Sequence, residues 1–176
     1  MKNNINYLKK KIRAIKDYPK LGITYQDITP LLRDPQAFSL AIDLCCEKVD
    51  RDIDLIAAID ARGFILGSGI AYKTGKGIIP IRKMNKLPYN VIAEKYSLEY
   101  GHDQIELHTD SIEEGQKIVL VDDVLATGGT TDAAIKLIDR LGGQLCAIIF
   151  LLELKDLNGR TKIAKYADNI HSLIEF

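Results

Sequence analysis

The chain has 176 residues, the length of one compact domain with room for a sizeable core. Lys+Arg and Asp+Glu both total 24, so the formal charge is zero and the bulk electrostatics point to neither nucleic acid nor an anionic membrane. The three cysteines do not suggest a disulfide framework: Cys45 and Cys46 are adjacent in a helical pattern and Cys146 sits in an apolar run, so all three read as small core residues.

The N-terminal segment MKNNINYLKKKIRAIKDYP is basic but has no uninterrupted apolar stretch, and no later span reaches the roughly 18 apolar residues of a membrane helix. The expectation is a soluble, cytoplasmic chain. Ile5, Leu8, Ile12 and Ile15 recur at spacings of three and four, which predicts an amphipathic helix with Lys9, Lys10 and Lys11 on its wet face. Pro19 and Gly22 break that pattern. Asp34 followed by Pro35 reads as an N-cap and first-turn proline, opening a helix through about Lys48.

Short apolar runs then alternate with helical ones. Strands are predicted at Leu55 to Ile59, Gly77 to Ile81, Lys117 to Val121 and Leu145 to Leu152. Helices are predicted at Phe64 to Lys73 and at Thr130 to Leu141, the second closed by Gly142 and Gly143. This rhythm predicts an α/β doubly wound domain with a mostly parallel sheet, one domain over residues 1–176. Residues 83–108 depart from it: polar, charged and tyrosine-rich, they read as a flexible hairpin lid with a mobile tip. His102, His108 and His171 are too scattered for a metal site and read as surface or satisfied histidines.

The segment VDDVLATGGTT, residues 121–131, carries the chemistry. Ligands of an open parallel sheet bind beyond the carboxyl ends of its strands, and Asp122 and Asp123 follow such a strand. Neighbouring acids there suit the hydroxyls of a sugar diol or a hydrated magnesium ion. Ala126, Thr127, Gly128, Gly129 and Thr130 supply small residues, hydroxyls and a helix start, which together cradle a phosphate. The lysine of a P-loop is missing, and Gly63, Gly67 and Gly69 lack the spacing of a dinucleotide fingerprint. Gly67-Ser68-Gly69 is not a nucleophile elbow. At the end of an earlier strand, Asp60-Ala61-Arg62-Gly63 places a cationic fork before another helix, a second anion site.

IVLVDDVLATGGTT resembles the phosphoribosyl pyrophosphate motif of the type I phosphoribosyltransferases. DYPKLGITYQDITPLL, IDARGFILG, IRKMNKLP and YSLEYG extend the resemblance over nearly the whole chain, in the order found in the adenine phosphoribosyltransferase family. The resemblance implies a homodimeric purine salvage enzyme that transfers the phosphoribosyl group to adenine, giving AMP and pyrophosphate. Magnesium would travel with the sugar substrate, and neither nucleic acid nor membrane would be a partner. It assigns the ribose hydroxyls to Asp122 and Asp123, the 5-phosphate to Ala126 through Thr130, and pyrophosphate to Arg62, with Arg82 and Lys86 helping, Arg82 across a dimer interface. A strained non-proline cis peptide is implied at Ala61-Arg62. The base pocket falls in the N-terminal segment of about residues 1–34, at Thr24, Tyr25 and Gln26, with Tyr25 as the stacking ring. The lid carries Glu99 as the catalytic carboxylate. Gln26 stands where some members have arginine, and Tyr89 where glycine is common. Transfer to another base, a regulator that binds the sugar substrate without catalysis, and a receiver-like signalling domain are the rival readings.

Overall fold

Strand–helix alternation produces a seven-stranded sheet, and its strand order places the two predicted anion sites side by side. The computed structural model describes residues 2–97, 102–166 and 169–176. The chain divides into two compact units, the first running to Leu44 and the second from Cys45 to Phe176.

The first unit contains α1 (Lys2–Lys10), the antiparallel pair β1 (Arg13–Lys16) and β2 (Thr24–Asp27), α2 (Thr29–Arg33) and most of α3 (Pro35–Cys46). The helix predicted to reach Ile15 stops at Lys10. Ile15 instead pairs with Tyr25 in the β1–β2 ladder. The spacing of three and four favours a helix, and pairing with a distant partner strand overrides it at Ile15. The predicted start of α3 is seen, with the Ala37 N–H donating to Asp34 Oδ1 at 3.0 Å. Asp27 closes β2: it pairs with Arg13 Nη2 at 2.6 Å, and its other oxygen accepts the Thr29 N–H at 2.8 Å.

The second unit is built from β3 (Leu55–Ile59), α4 (Gly63–Thr74), β4 (Gly77–Lys83), β5 (Val91–Ser97), β6 (His102–His108), β7 (Lys117–Leu125), α5 (Gly129–Arg140), β8 (Gln144–Glu153), α6 (Gly159–Ile163) and β9 (Ile170–Glu175). The sheet order is β5-β6-β4-β3-β7-β8-β9. The β3–β4, β3–β7, β7–β8 and β8–β9 pairs are parallel, whereas β6 runs antiparallel to both β4 and β5.

Strand alternation assigns the two faces of β3 to different helices. Gly67 of α4 lies against Ala58 and Ile56, while Ala57 and Ile59 join Leu120, Ala134, Leu137 and Ile138 in the core beneath α5. The contact with α4 is close: a methyl group on Gly67 would lie 2.6 Å from Ala58 Cβ.

Two predicted boundaries moved. Strand β7 continues past Val121 to Leu125, so both acids lie within it, with Asp122 opposite Phe150 and Val124 opposite Leu152 on β8. A long neighbouring strand overrides the low strand preference of aspartate. The predicted excursion over residues 83–108 is an antiparallel hairpin, and its second strand joins β4 through Arg82 and Lys83, so the hairpin forms one edge of the main sheet. Glu99 lies outside the described residues.

Candidate active site

The chain leaves β3 towards β4 on one side of the sheet and leaves β7 towards β8 on the other, so the crevice between β3 and β7 is a topological switch point. The loop after β3 holds Asp60, Ala61 and Arg62. The end of β7 holds Asp122 and Asp123, followed by the Ala126–Thr130 loop.

Arg62 precedes the first residue of α4, and its Nε binds Asp123 Oδ2 across the crevice. Asp123 is 5% exposed, so the pair has one face in water and the other in protein. Asp122 sits beside the start of α4: a methyl group on Gly63 would lie 3.0 Å from Asp122 Oδ1. The Asp122 oxygen accepts the Asp123 N–H at 2.8 Å. Burial, and then the negative charge of Asp123, push the Asp122 carboxyl well above the usual carboxylate range.

The cis peptide in this region is Asp60–Ala61, one bond earlier than the sequence reading placed it. Asp60 Oδ2 accepts from Arg82 Nε at 2.9 Å and from the Lys83 N–H at 3.3 Å. The Arg82 guanidinium also lies over the Phe64 ring, 5.6 Å from its centroid. Arg82 thus reaches the loop after β3 within one chain. Lys86 is exposed, in the turn after β4.

Gly128 has φ of 76°, a left-handed conformation, and the next residue starts α5. Gly128, Gly129 and Thr130 therefore bring helix-start N–H groups and a hydroxyl to one loop. Sequence reasoning missed the support beneath that loop. Gly159, at the start of α6, lies so close that a methyl group there would sit 2.2 Å from the Ala126 carbonyl oxygen. Arg160 anchors α6: its Nη2 bonds Glu153 Oε2 at 2.5 Å and Ser172 Oγ at 3.1 Å, and its Nη1 bonds the Ile170 carbonyl at 2.9 Å. Asn158-Gly159, resembling an ordinary turn, was the available signal.

In the first unit, Tyr25 packs edge-on to Tyr18 with ring centroids 5.4 Å apart. Thr24 is exposed, and Gln26 Oε1 is buried without a hydrogen-bond partner. Gln26 therefore carries an acceptor whose hydrogen-bonding capacity the described protein leaves unused. One histidine departs from its reading: His108 Nε2 is also buried without a partner, and its ring lies edge-on to Tyr89. The buried Cys45 thiol is pushed up to about 12 by desolvation, which fits an inert core residue.

No group of three or more His, Cys, Asp and Glu residues gathers as a metal site among the described residues. Asp122 and Asp123 offer hard oxygen donors beside the loops that follow β3 and β7. Such a set fits magnesium that retains water and substrate phosphates as its other ligands.

The Phosphoribosyl transferase domain family matches residues 30–176. The chain is 54% identical to adenine phosphoribosyltransferase of Thermotoga neapolitana over 96% of its own length and 99% of the relative. It is similar to the crystal structure of adenine phosphoribosyltransferase from Thermoanaerobacter pseudethanolicus, with TM-score 0.93 and 48% identity, covering 98% of this chain and 99% of the other. The Saccharomyces cerevisiae enzyme, solved with an imino-altritol bisphosphate and adenine, is similar at TM-score 0.90 and 32% identity, covering 98% and 99%.

Proposed function

The chain belongs to the phosphoribosyltransferase family, and from that membership we propose that it transfers the 5-phosphoribosyl group of phosphoribosyl pyrophosphate to adenine, giving AMP and pyrophosphate. The observation that carries this reading is the pairing of Arg62 with Asp123 across the switch point, beside the loop that starts α5. A cation for a leaving pyrophosphate, acids for a ribose and donors for a 5-phosphate stand in the order of one substrate.

In this reading, the Gly128, Gly129 and Thr130 donors hold the 5-phosphate, with Ala126 and Thr127 shaping the loop. Charge-assisted hydrogen bonds contribute roughly 1.5–3 kcal/mol each, more than a helix dipole supplies, so donor geometry dominates binding. Asp122 and Asp123 accept from the ribose hydroxyls. Arg62, Arg82 and Lys86 meet the pyrophosphate. Magnesium, when bound with the sugar substrate, offsets part of its phosphate charge.

The bond from C1 to pyrophosphate oxygen breaks as the bond from adenine N9 to C1 forms. Arg62 and Arg82 stabilise the negative charge that leaves with the oxygen. The proton lost from the base passes to Glu99 or to water, and closure of the hairpin over the site excludes hydrolysis. Tyr25 stacks on the base, while Thr24 and Gln26 read its edge; the unpartnered Gln26 Oε1 suits an amino N–H. The working form is a homodimer in the cytoplasm. No described helix is long and apolar enough to cross a membrane.

The test is magnesium-dependent release of pyrophosphate with adenine, hypoxanthine, guanine, xanthine and uracil supplied separately. AMP from adenine alone supports the reading. Product from another base moves the specificity, and tight substrate binding without any nucleotide product points to a regulator.

A further inference from the structure

The loop over residues 126–130 rests on the start of α6, a helix that cannot hold its own position. It has five residues, too few to be stable alone, and it starts from Asn158, which has a left-handed φ of 52°. Side chains must therefore fix its place, and Arg160 supplies the main tie. Its Nε lies 3.0 Å from Glu153 Oε1 and its Nη2 2.5 Å from Glu153 Oε2, a two-pronged pairing with the acid that ends β8. Nη1 donates to the Ile170 carbonyl of β9 at 2.9 Å, and Ser172 Oγ, also on β9, donates to Glu153 Oε2 at 2.7 Å. Glu153 is only 4% exposed, so water competes little with these partners. One fork thus joins α6 to two neighbouring strands.

The residue before Arg160 carries that constraint to the loop. A methyl group on Gly128 would lie 2.7 Å from the Gly159 carbonyl oxygen, and one on Gly159 would lie 2.9 Å from the Gly128 nitrogen. The nearest atoms on both sides are backbone, so no side chain can bend to absorb a shift of α6. A second fastening lies just past α6, where the Tyr166 hydroxyl donates to Asp132 Oδ1 in the first turn of α5 at 2.8 Å.

We infer that Arg160, through its fork to Glu153, is a positioning residue for ligands that carry a 5-phosphate. It sets where Gly159 meets the Ala126–Thr130 loop, so that the loop N–H groups are aimed before the ligand arrives. Ser172 fixes the acid in turn. The inference rests on the reading of residues 126–130 as the 5-phosphate cradle.

Arg160→Lys keeps the charge and loses the fork. Calorimetric titration with magnesium present should show about tenfold weaker binding of phosphoribosyl pyrophosphate and of AMP, which both carry a 5-phosphate. Binding of pyrophosphate, which does not, should be nearly unchanged. Glu153→Gln should give the same selectivity, and the two losses should not add in the double variant, because each opens the same fork. Ser172→Ala, which removes one support of the acid, should give a smaller loss and serves as the test if the other variants fold poorly. Equal weakening of pyrophosphate would mark Arg160 as a general support of the fold and overturn the inference. Additive losses would overturn it too, as would variants that bind phosphoribosyl pyrophosphate and AMP as tightly as wild type. A wild type that binds neither of these two ligands overturns the cradle reading, and this inference with it.

Discussion

Arg62 and Asp123 lie 61 residues apart in sequence and are joined by a direct ion pair across the switch point. In the free protein the arginine proposed to meet the pyrophosphate is held by an acid proposed to meet the ribose. Arg62→Ala should lower kcat by about 10²–10³-fold, the usual cost of removing a donor aimed at developing charge. Arg62→Lys should recover little, because an ammonium lacks the planar fork. Steady-state kinetics on both variants check this, and near-normal turnover in either would remove Arg62 from the chemistry.

Asp122 gives a prediction in which stability and function oppose each other. Its carboxyl is raised by burial and by Asp123, so its contribution to stability is greatest in acid and is lost as pH rises through the raised value. Asp122→Asn should therefore stabilise the free protein at neutral pH, by about 2–4 °C in Tm for each kcal/mol relieved in a chain of this length. The gain should shrink on acidification. The same variant should bind phosphoribosyl pyrophosphate more weakly, so thermal scans and titration should move in opposite directions.

Gly159 is expected to matter to a loop to which no sequence motif connects it. Gly159→Ala brings a methyl group onto the Ala126 carbonyl, and neither backbone can yield without moving the loop proposed to hold the 5-phosphate. Overpacking of this kind costs about 1–3 kcal/mol, so substrate affinity should fall roughly tenfold to a hundredfold. Unchanged affinity would show that the loop does not depend on α6.

Asp27 controls an acid limb in the first unit. Hydrogen bonds from Thr29 and Arg13 lower its carboxyl from 3.8 to about 2. The stability it contributes is present above the ordinary value and is lost as pH falls through the lowered one. Asp27→Asn should lower Tm at neutral pH, and the difference from wild type should vanish between about pH 4 and pH 2.

Glu99→Gln should reduce turnover far more than it weakens phosphoribosyl pyrophosphate binding, which a comparison of kcat with the titrated affinity will decide.

The sequence made the parallel core legible because its strands are unbroken aliphatic runs: Leu55 to Ile59 matched to the residue. The loop over residues 126–130 was legible as a strand-to-helix junction for a different reason, the glycine pair at which α5 begins. What the sequence hid depended on partners distant in the chain. Ile15 could not reveal that Tyr25 would pair with it, nor Asp122 and Asp123 that β8 would continue alongside them. Gly159 looked like part of a turn until α6 was seen to touch Ala126. Tyr96 was read as part of a lid, and its burial depends on how β5 packs against α5.

Gly63 and Gly67 sit one helical turn apart on the side of α4 that meets the sheet, one against Asp122 and the other against Ala58. The helix is thus lowered onto β3 and β7 by the width of side chains it does not have. Gly67→Ala would lift it like a shim under one end of a beam, and Arg62, at the tip of that beam, would swing away from Asp123. The gap between the two loops is set by atoms missing from the sheet-facing side of one helix, so variation there would detune the site without altering Arg62, Asp123 or any residue of the Ala126–Thr130 loop.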